Sequence, residues 1–175
     1  MPKTRIISDE SRAREQDVSQ ASAPLRFPLF LDLTEKRVAV IGGGRISARR
    51  VLVLLDFVQR ITVIAPDLRP ELEALALEDR IVVHKRAFQP DDLNDADLVI
   101  TATGIAEIDD WVWRLCREKK LPINVAADQT KCDFFFPGIA RKGSLIAGVT
   151  AGGTDHQLAK RAADAIRDLF SRLPE

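Results

Sequence analysis

From Phe27 onward, short runs of continuous apolar residues alternate with stretches whose apolar positions recur at helical spacing. The runs are Val38-Ala39-Val40-Ile41, Ile61-Thr62-Val63-Ile64-Ala65, Ile81-Val82-Val83, Leu98-Val99-Ile100-Thr101 and Ile123-Asn124-Val125. Helices are predicted between them from Arg45 to Phe57, Glu71 to Glu78 and Ile108 to Lys119. Brief strands that are apolar without alternation, separated by helices, predict a parallel sheet covered on both faces. The pattern then changes. Phe134-Phe135-Phe136-Pro137 and Leu145-Ile146-Ala147-Gly148-Val149, parted around Arg141-Lys142-Gly143-Ser144, predict a hairpin added to the sheet edge. A last helix, from about Gln157 to Leu169, would bury Leu158, Ala162, Ala165, Ile166 and Leu169 on one stripe. The expected organisation is a polar, flexible tail over 1–25, an α/β domain over 26–150 and a short helical segment over 151–175.

Composition narrows the class of ligand. Of 175 residues, 46% are hydrophobic and 30% charged, and basic and acidic residues both number 26. Such a balance lacks the basic excess of a nucleic-acid binder, so an anionic ligand must be held by local charge. Cys116 and Cys132 have no metal-site or redox spacing, and both read as reduced thiols of a cytoplasmic protein with no metal centre. The N-terminus has no apolar core of a secretory signal, and no apolar run approaches the ~20 residues that cross a bilayer.

Gly42-Gly43-Gly44-Arg45-Ile46-Ser47 follows a strand and opens a helix, the context that gives a G-x-G-x-x-S pattern its meaning. Gly42 permits the sharp turn, Gly44 removes the Cβ that would block a pyrophosphate, and Ser47 lets the helix approach the strand. The helix N-terminus then faces the phosphates. These features predict a Rossmann-type sheet. No acid stands at the end of the second strand, but Asp67, after Pro66, could reach the adenosine ribose and would repel a 2′-phosphate, favouring NAD over NADP. Asp67 reads equally well as an exposed cap of the next helix. Thr101 and Thr103 lie at the carboxyl edge of the fourth strand, where small residues leave room for the nicotinamide end.

The ordered set Phe27-Pro28-Leu29-Phe30-Leu31-Asp32-Leu33, Arg37 to Gly44, Val63-Ile64-Ala65-Pro66, Asn124-Val125, Cys132 to Pro137, Gly152-Gly153-Thr154 and Leu158-Ala159-Lys160-Arg161 resembles the precorrin-2 dehydrogenase family of siroheme biosynthesis. The resemblance implies oxidation of precorrin-2 to sirohydrochlorin with NAD, and in some members insertion of ferrous iron. It places cofactor contacts on Arg45, Ile46, Pro66 and Asp67. It also implies a helical dimerisation region, which here is cut short after Glu175. The stripe Leu158, Ala162, Ile166 and Leu169 is wider than the core need cover, and it predicts a homodimer through the last helix and the edge hairpin. The family's catalytic carboxylate, three residues after the Asn of Asn-Val, falls on Ala127, with Asp128 next to it. The chain also reads Thr150-Ala151 and Asp155-His156 where the family often has serines and Ser-Pro.

The substrate that the resemblance implies is a polycarboxylate, so cations should line its cleft. Arg141 and Lys142 on the hairpin and Lys160 and Arg161 on the last helix are candidates, with solvated surface as the alternative. The cleft is expected between Thr103, Asn124 and the loop Gly152-Gly153-Thr154. Asp128 is the candidate acid/base, and His156 a second one able to take a pyrrole proton or meet iron; a water-facing helix start is the plainer reading of His156. Three functions follow: an NAD-dependent dehydrogenase, a tetrapyrrole-binding or metal-inserting relative without dehydrogenation, and an NAD-sensing module.

Overall fold

A computed structural model describes residues 25–153 and 155–174. Five strands, β1 (Arg37–Ile41), β2 (Arg60–Ile64), β3 (Val82–His84), β4 (Leu98–Thr101) and β5 (Ile123–Val125), form one parallel sheet in the order β3-β2-β1-β4-β5. Helix α1 (Arg45–Leu54) follows β1, α2 (Pro70–Leu77) follows β2 and α3 (Ala106–Lys119) follows β4. The strand positions alternate between two cores. Val38, Val40, Ile61 and Val63 meet Ala48, Val51 and Leu54 of α1 and Leu72 and Leu75 of α2. Ala39, Ile41, Ile64, Val99, Ile123 and Val125 meet Val112 and Cys116 of α3. Burial on both faces is why β1, β2, β4 and β5 read as unbroken apolar runs, whereas the edge strand β3 is mostly exposed.

The strand order reverses direction between β1 and β4, and ligands of such sheets bind outside the carboxyl ends at that point. The glycine turn leaves β1 there. The expected Rossmann-type architecture is thus present.

Beyond β5 the structure departs from expectation in three ways. The hairpin arms are β6 (Gly138–Lys142) and β7 (Leu145–Val149), joined at Gly143-Ser144, so Arg141 and Lys142 lie in a strand. Phe134-Phe135-Phe136-Pro137 is irregular, because Phe134 and Phe136 turn back to pack on the α1 side of the sheet. That crossing carries the hairpin away from β5, and it forms a separate two-stranded sheet instead of an added edge.

Helix α4 (His156–Arg172) lies on this hairpin and buries Ala163 and Phe170, not the predicted stripe. Gly138 makes the close approach possible, since a Cβ there would stand 3.1 Å from that of Ala163. Leu158 and Leu169 are left exposed. The polar tail expected over the first residues, and Thr154 of the expected substrate loop, lie outside the described residues.

Candidate functional site

The three glycines of the turn do different work. Gly42 has φ +116°, and a Cβ on it would lie 2.5 Å from the Ala102 carbonyl oxygen. A Cβ on Gly43 would lie 2.0 Å from the Asp67 carbonyl oxygen, and the Gly43 carbonyl accepts the Arg69 amide at 2.9 Å. These two positions let the loops after β2 and β4 close against the turn. Gly44 is different: its φ is −80°, open to any residue, and nothing lies within 4 Å of a Cβ there. The fold gives no reason for glycine at 44, whereas a ligand crossing that space would.

The helix behind this space is electrostatically open. Gly44 caps α1 with no side-chain hydrogen bond, and the first turn has no acidic residue, so its amides and positive dipole end are not neutralised. By contrast, α2 and α3 carry acids in their first turns, and Asp155 caps α4. Arg45 and Ile46 are exposed at the mouth and Ser47 is buried beneath it. Pro66 and Asp67 are exposed in the adjoining loop, and Arg69, not Asp67, caps α2. The open space at Gly44 and the uncapped helix start suit an anionic group such as a pyrophosphate.

At the end of β4 the expected contacts turn out to be engaged elsewhere. Thr101 is fully buried and donates its hydroxyl to Asp109 Oδ1. The same oxygen accepts the Thr103 hydroxyl at 2.8 Å and the Thr103 amide at 3.2 Å. Asp109, which sequence reasoning missed, holds the loop Thr101–Gly104 in shape. The loop can therefore meet a cofactor through backbone and small side-chain surface, not through the Thr101 hydroxyl.

The turn after β5 is tied to this loop, since the Ala126 amide donates to the Thr101 carbonyl at 2.9 Å. Asn124 is buried, and its Nδ2 donates to the Phe134 carbonyl at 2.7 Å, so it clamps the crossing segment instead of facing the cleft. Cys132 Sγ lies at the centre of the turn, 3.3 Å from the Val125 amide and 3.2 Å from its carbonyl. Burial raises the Cys132 pKa and pushes that of Cys116 up to about 12, which favours the thiol form of both.

Asp128 stands half-buried on this turn. Its Oδ1 accepts the Thr130 hydroxyl at 2.6 Å and the Thr130 amide at 3.0 Å, and Oδ2 lies 3.3 Å from Lys131 Nζ. These donors hold its pKa below the usual carboxylate range, with the Thr130 hydroxyl the largest cause. Ala127 beside it is exposed. The Gly152-Gly153 loop does reach this place: a Cβ on Gly153 would meet Gln129 Oε1 at 2.1 Å. The structure therefore brings together the glycine turn, the Thr103 loop, Asp128 and the second glycine loop around the carboxyl edge.

The remaining candidates lie on other surfaces. Arg141 Nη1 is 3.5 Å from Asp56, Lys142 bonds the Leu173 carbonyl, and Lys160 pairs with Asp164 at 3.1 Å. Arg161 is exposed, and His156 is the exposed first residue of α4. The geometry fits the surface reading for Arg141 and Lys160 and the helix-start reading for His156. Among the described residues no group of three or more His, Cys, Asp or Glu could hold a metal ion, and no helix is long and apolar enough to cross a membrane.

Comparison with known proteins agrees with this fold. Residues 29–138 match the family described as "Putative NAD(P)-binding". The chain is 36% identical over 145 residues to the probable multifunctional siroheme biosynthesis protein HemA of Ruminiclostridium josui, covering 82% of this chain and 28% of that protein. It is 32% identical to a siroheme synthase of Mannheimia succiniciproducens, covering 82% and 30%, and 33% identical to one of Nitrosomonas europaea, covering 85% and 32%. The chain thus spans about a third of the length of these relatives. Among solved structures, "SirC, precorrin-2 dehydrogenase" superposes with a TM-score of 0.69 at 25% identity, covering 86% of this chain and 72% of that one. The resemblance read from the sequence is borne out.

Proposed function

The chain belongs to the NAD(P)-binding family, and from that premise we propose that it is an NAD-dependent precorrin-2 dehydrogenase of siroheme biosynthesis. The observation that carries the reading is Gly44, a glycine without a conformational or packing reason at the uncapped N-terminus of α1. The amides of Gly44, Arg45 and Ile46 bind the pyrophosphate, and Pro66 and Asp67 face the adenosine ribose, where the Asp67 carboxylate selects NAD over NADP. The Thr101–Gly104 loop, shaped by Asp109, supports the nicotinamide end. NAD supplies a hydride acceptor there.

Asp128 holds or moves the proton that leaves the substrate with the hydride. Its turn is tied to the Thr101–Gly104 loop through the Ala126 amide and meets Gly153 through Gln129, which supports that role. A second reading has its own support, because Ala127 stands at the position of the family's carboxylate and Asp128 is already engaged by Thr130 and Lys131. In that reading the chain binds the tetrapyrrole, with ferrous iron as a further substrate and His156 delivering it, but does not dehydrogenate. Absorbance titration with sirohydrochlorin, with and without NAD, tests what the two readings share. Both expect a bound tetrapyrrole spectrum; no spectral change in either titration refutes both and leaves an NAD-binding module without a tetrapyrrole site.

The partner is a second copy of the chain. Phe27 is 88% and Phe30 70% exposed in the segment before β1, and Leu158 and Leu169 are exposed on α4. So much apolar surface on a small domain supports burial against another copy. Sedimentation should give a dimer at micromolar concentration, and a species near 19.5 kDa would refute it.

A further inference from the structure

Among the described residues, Arg50 is a buried cation with no anion paired to it. It stands on α1 three residues after Ser47, on the same face, with 9% of the residue exposed. Its Nε and Nη1 have no hydrogen-bond partner among the described residues. The guanidinium carbon lies 5.4 Å from the centre of the Phe136 ring, and its charged or titratable neighbours are the Cys132 thiol and Arg49. Neither balances it, since burial keeps the thiol protonated and Arg49 carries the same sign.

Among the described residues, two more buried polar atoms on this side of the sheet lack partners, Ser47 Oγ and Asn124 Oδ1. Asn124 faces this side because Ile123 and Val125 pack into the opposite core. What covers the guanidinium is the Phe136 ring, carried by a segment outside any helix or strand.

Arginine does not lose its proton in a protein, so burial cannot neutralise Arg50. An unpaired buried charge destabilises a fold, and an apolar residue of similar volume is the more stable choice. The same helix carries the dinucleotide turn at its N-terminus.

We propose that Arg50, with the Ser47 hydroxyl, forms a buried oxyanion site that is completed only when a phosphate or carboxylate group of a ligand enters it. A guanidinium with free N–H groups matches either group. The inference rests on the reading of the chain as a dinucleotide and tetrapyrrole binder. It goes beyond that reading by placing the counter-charge inside α1. The oxyanion comes from the cofactor's pyrophosphate or from a peripheral carboxylate of the tetrapyrrole.

The test uses the full chain, as wild type, Arg50→Met and Arg50→Lys. Thermal melting without ligand is combined with calorimetric titration of ADP, adenosine and sirohydrochlorin. Arg50→Met should raise the melting temperature and weaken at least one anionic ligand tenfold or more, with Arg50→Lys recovering part of the loss. Weakened ADP with unchanged adenosine assigns the site to pyrophosphate, and weakened sirohydrochlorin assigns it to a carboxylate. If Arg50→Met binds ADP and sirohydrochlorin as wild type does, the inference is overturned and the proposed function stands. Should Arg50→Met fail to fold, wild-type affinities in Arg50→Lys, whose ammonium lacks the planar fork, overturn it equally. A wild type that binds neither ADP nor sirohydrochlorin removes the function and the inference together.

Discussion

Gly44→Val leaves the chain folded and lowers its affinity for NAD by ~100-fold or more, about 2.7 kcal/mol. The expectation comes from the space around the residue. A Cβ at 44 meets no protein atom within 4 Å, and the backbone there is in a region valine readily adopts, so the new side chain enters only the volume assigned to the pyrophosphate. The neighbouring glycines give the control. A Cβ at 43 would meet the Asp67 carbonyl at 2.0 Å and one at 42 the Ala102 carbonyl at 2.5 Å, so Gly43→Ala and Gly42→Ala should destabilise by about 1–3 kcal/mol or more. Calorimetry and thermal melting on the three variants separate binding from stability. Unchanged NAD affinity in a folded Gly44→Val protein removes the dinucleotide assignment.

Asp128→Ala lowers the rate of NADH formation from precorrin-2 by ~10² to 10⁴, the usual contribution of a general acid or base. Ala127→Asp, which restores a carboxylate at an exposed position beside it, raises the rate of either protein. The pH profile follows from the same hydrogen bonds. Thr130 and Lys131 lower the Asp128 pKa, so the carboxylate stays ionised from neutral pH down through the ordinary value near ~3.9, and only below that does it take a proton. A rate that depends on Asp128 as base is therefore flat between about pH 5 and 8, with an acid limb below ~4. Thr130→Val removes the largest cause of the shift and moves that limb upward. Activity that survives Asp128→Ala, or an acid limb near neutrality that Thr130→Val does not move, assigns the proton to another group.

The parallel sheet was legible because burial on both faces leaves a direct mark, as in Val38-Ala39-Val40-Ile41. The glycine turn was legible too, though the reason for Gly43 was not. The carbonyl that excludes a side chain there belongs to Asp67, and only the closed loop brings it near. The hairpin register slipped because the apolar run Phe134-Phe135-Phe136 imitates a strand while Phe134 and Phe136 serve the core beside α1. On α4 the apolar residues cover more than one face, and periodicity alone does not decide between Leu158 and Ala163. The close approach at Gly138 does.

The site residues were harder to read than the fold. Thr101 and Asn124 lie at the expected strand ends, but their side chains are spent on Asp109 and Phe134, partners fixed by tertiary contact. Arg50 is marked in the sequence by its place on a largely apolar helix face. It shares the buried face of α1 with Ser47, Ala48, Val51 and Leu54, and a charge on an apolar face asks what neutralises it.

The most direct measurement mixes the purified chain with precorrin-2 and NAD in the absence of oxygen and follows NADH and sirohydrochlorin by absorbance. The account predicts catalytic formation of both in equal amounts, at a rate that falls in Asp128→Ala and, at NAD concentrations that half-saturate the wild type, falls by ~50-fold or more in Gly44→Val. Tight binding of the tetrapyrrole with no NADH formed contradicts it, and leaves the chain a tetrapyrrole-binding or metal-inserting relative.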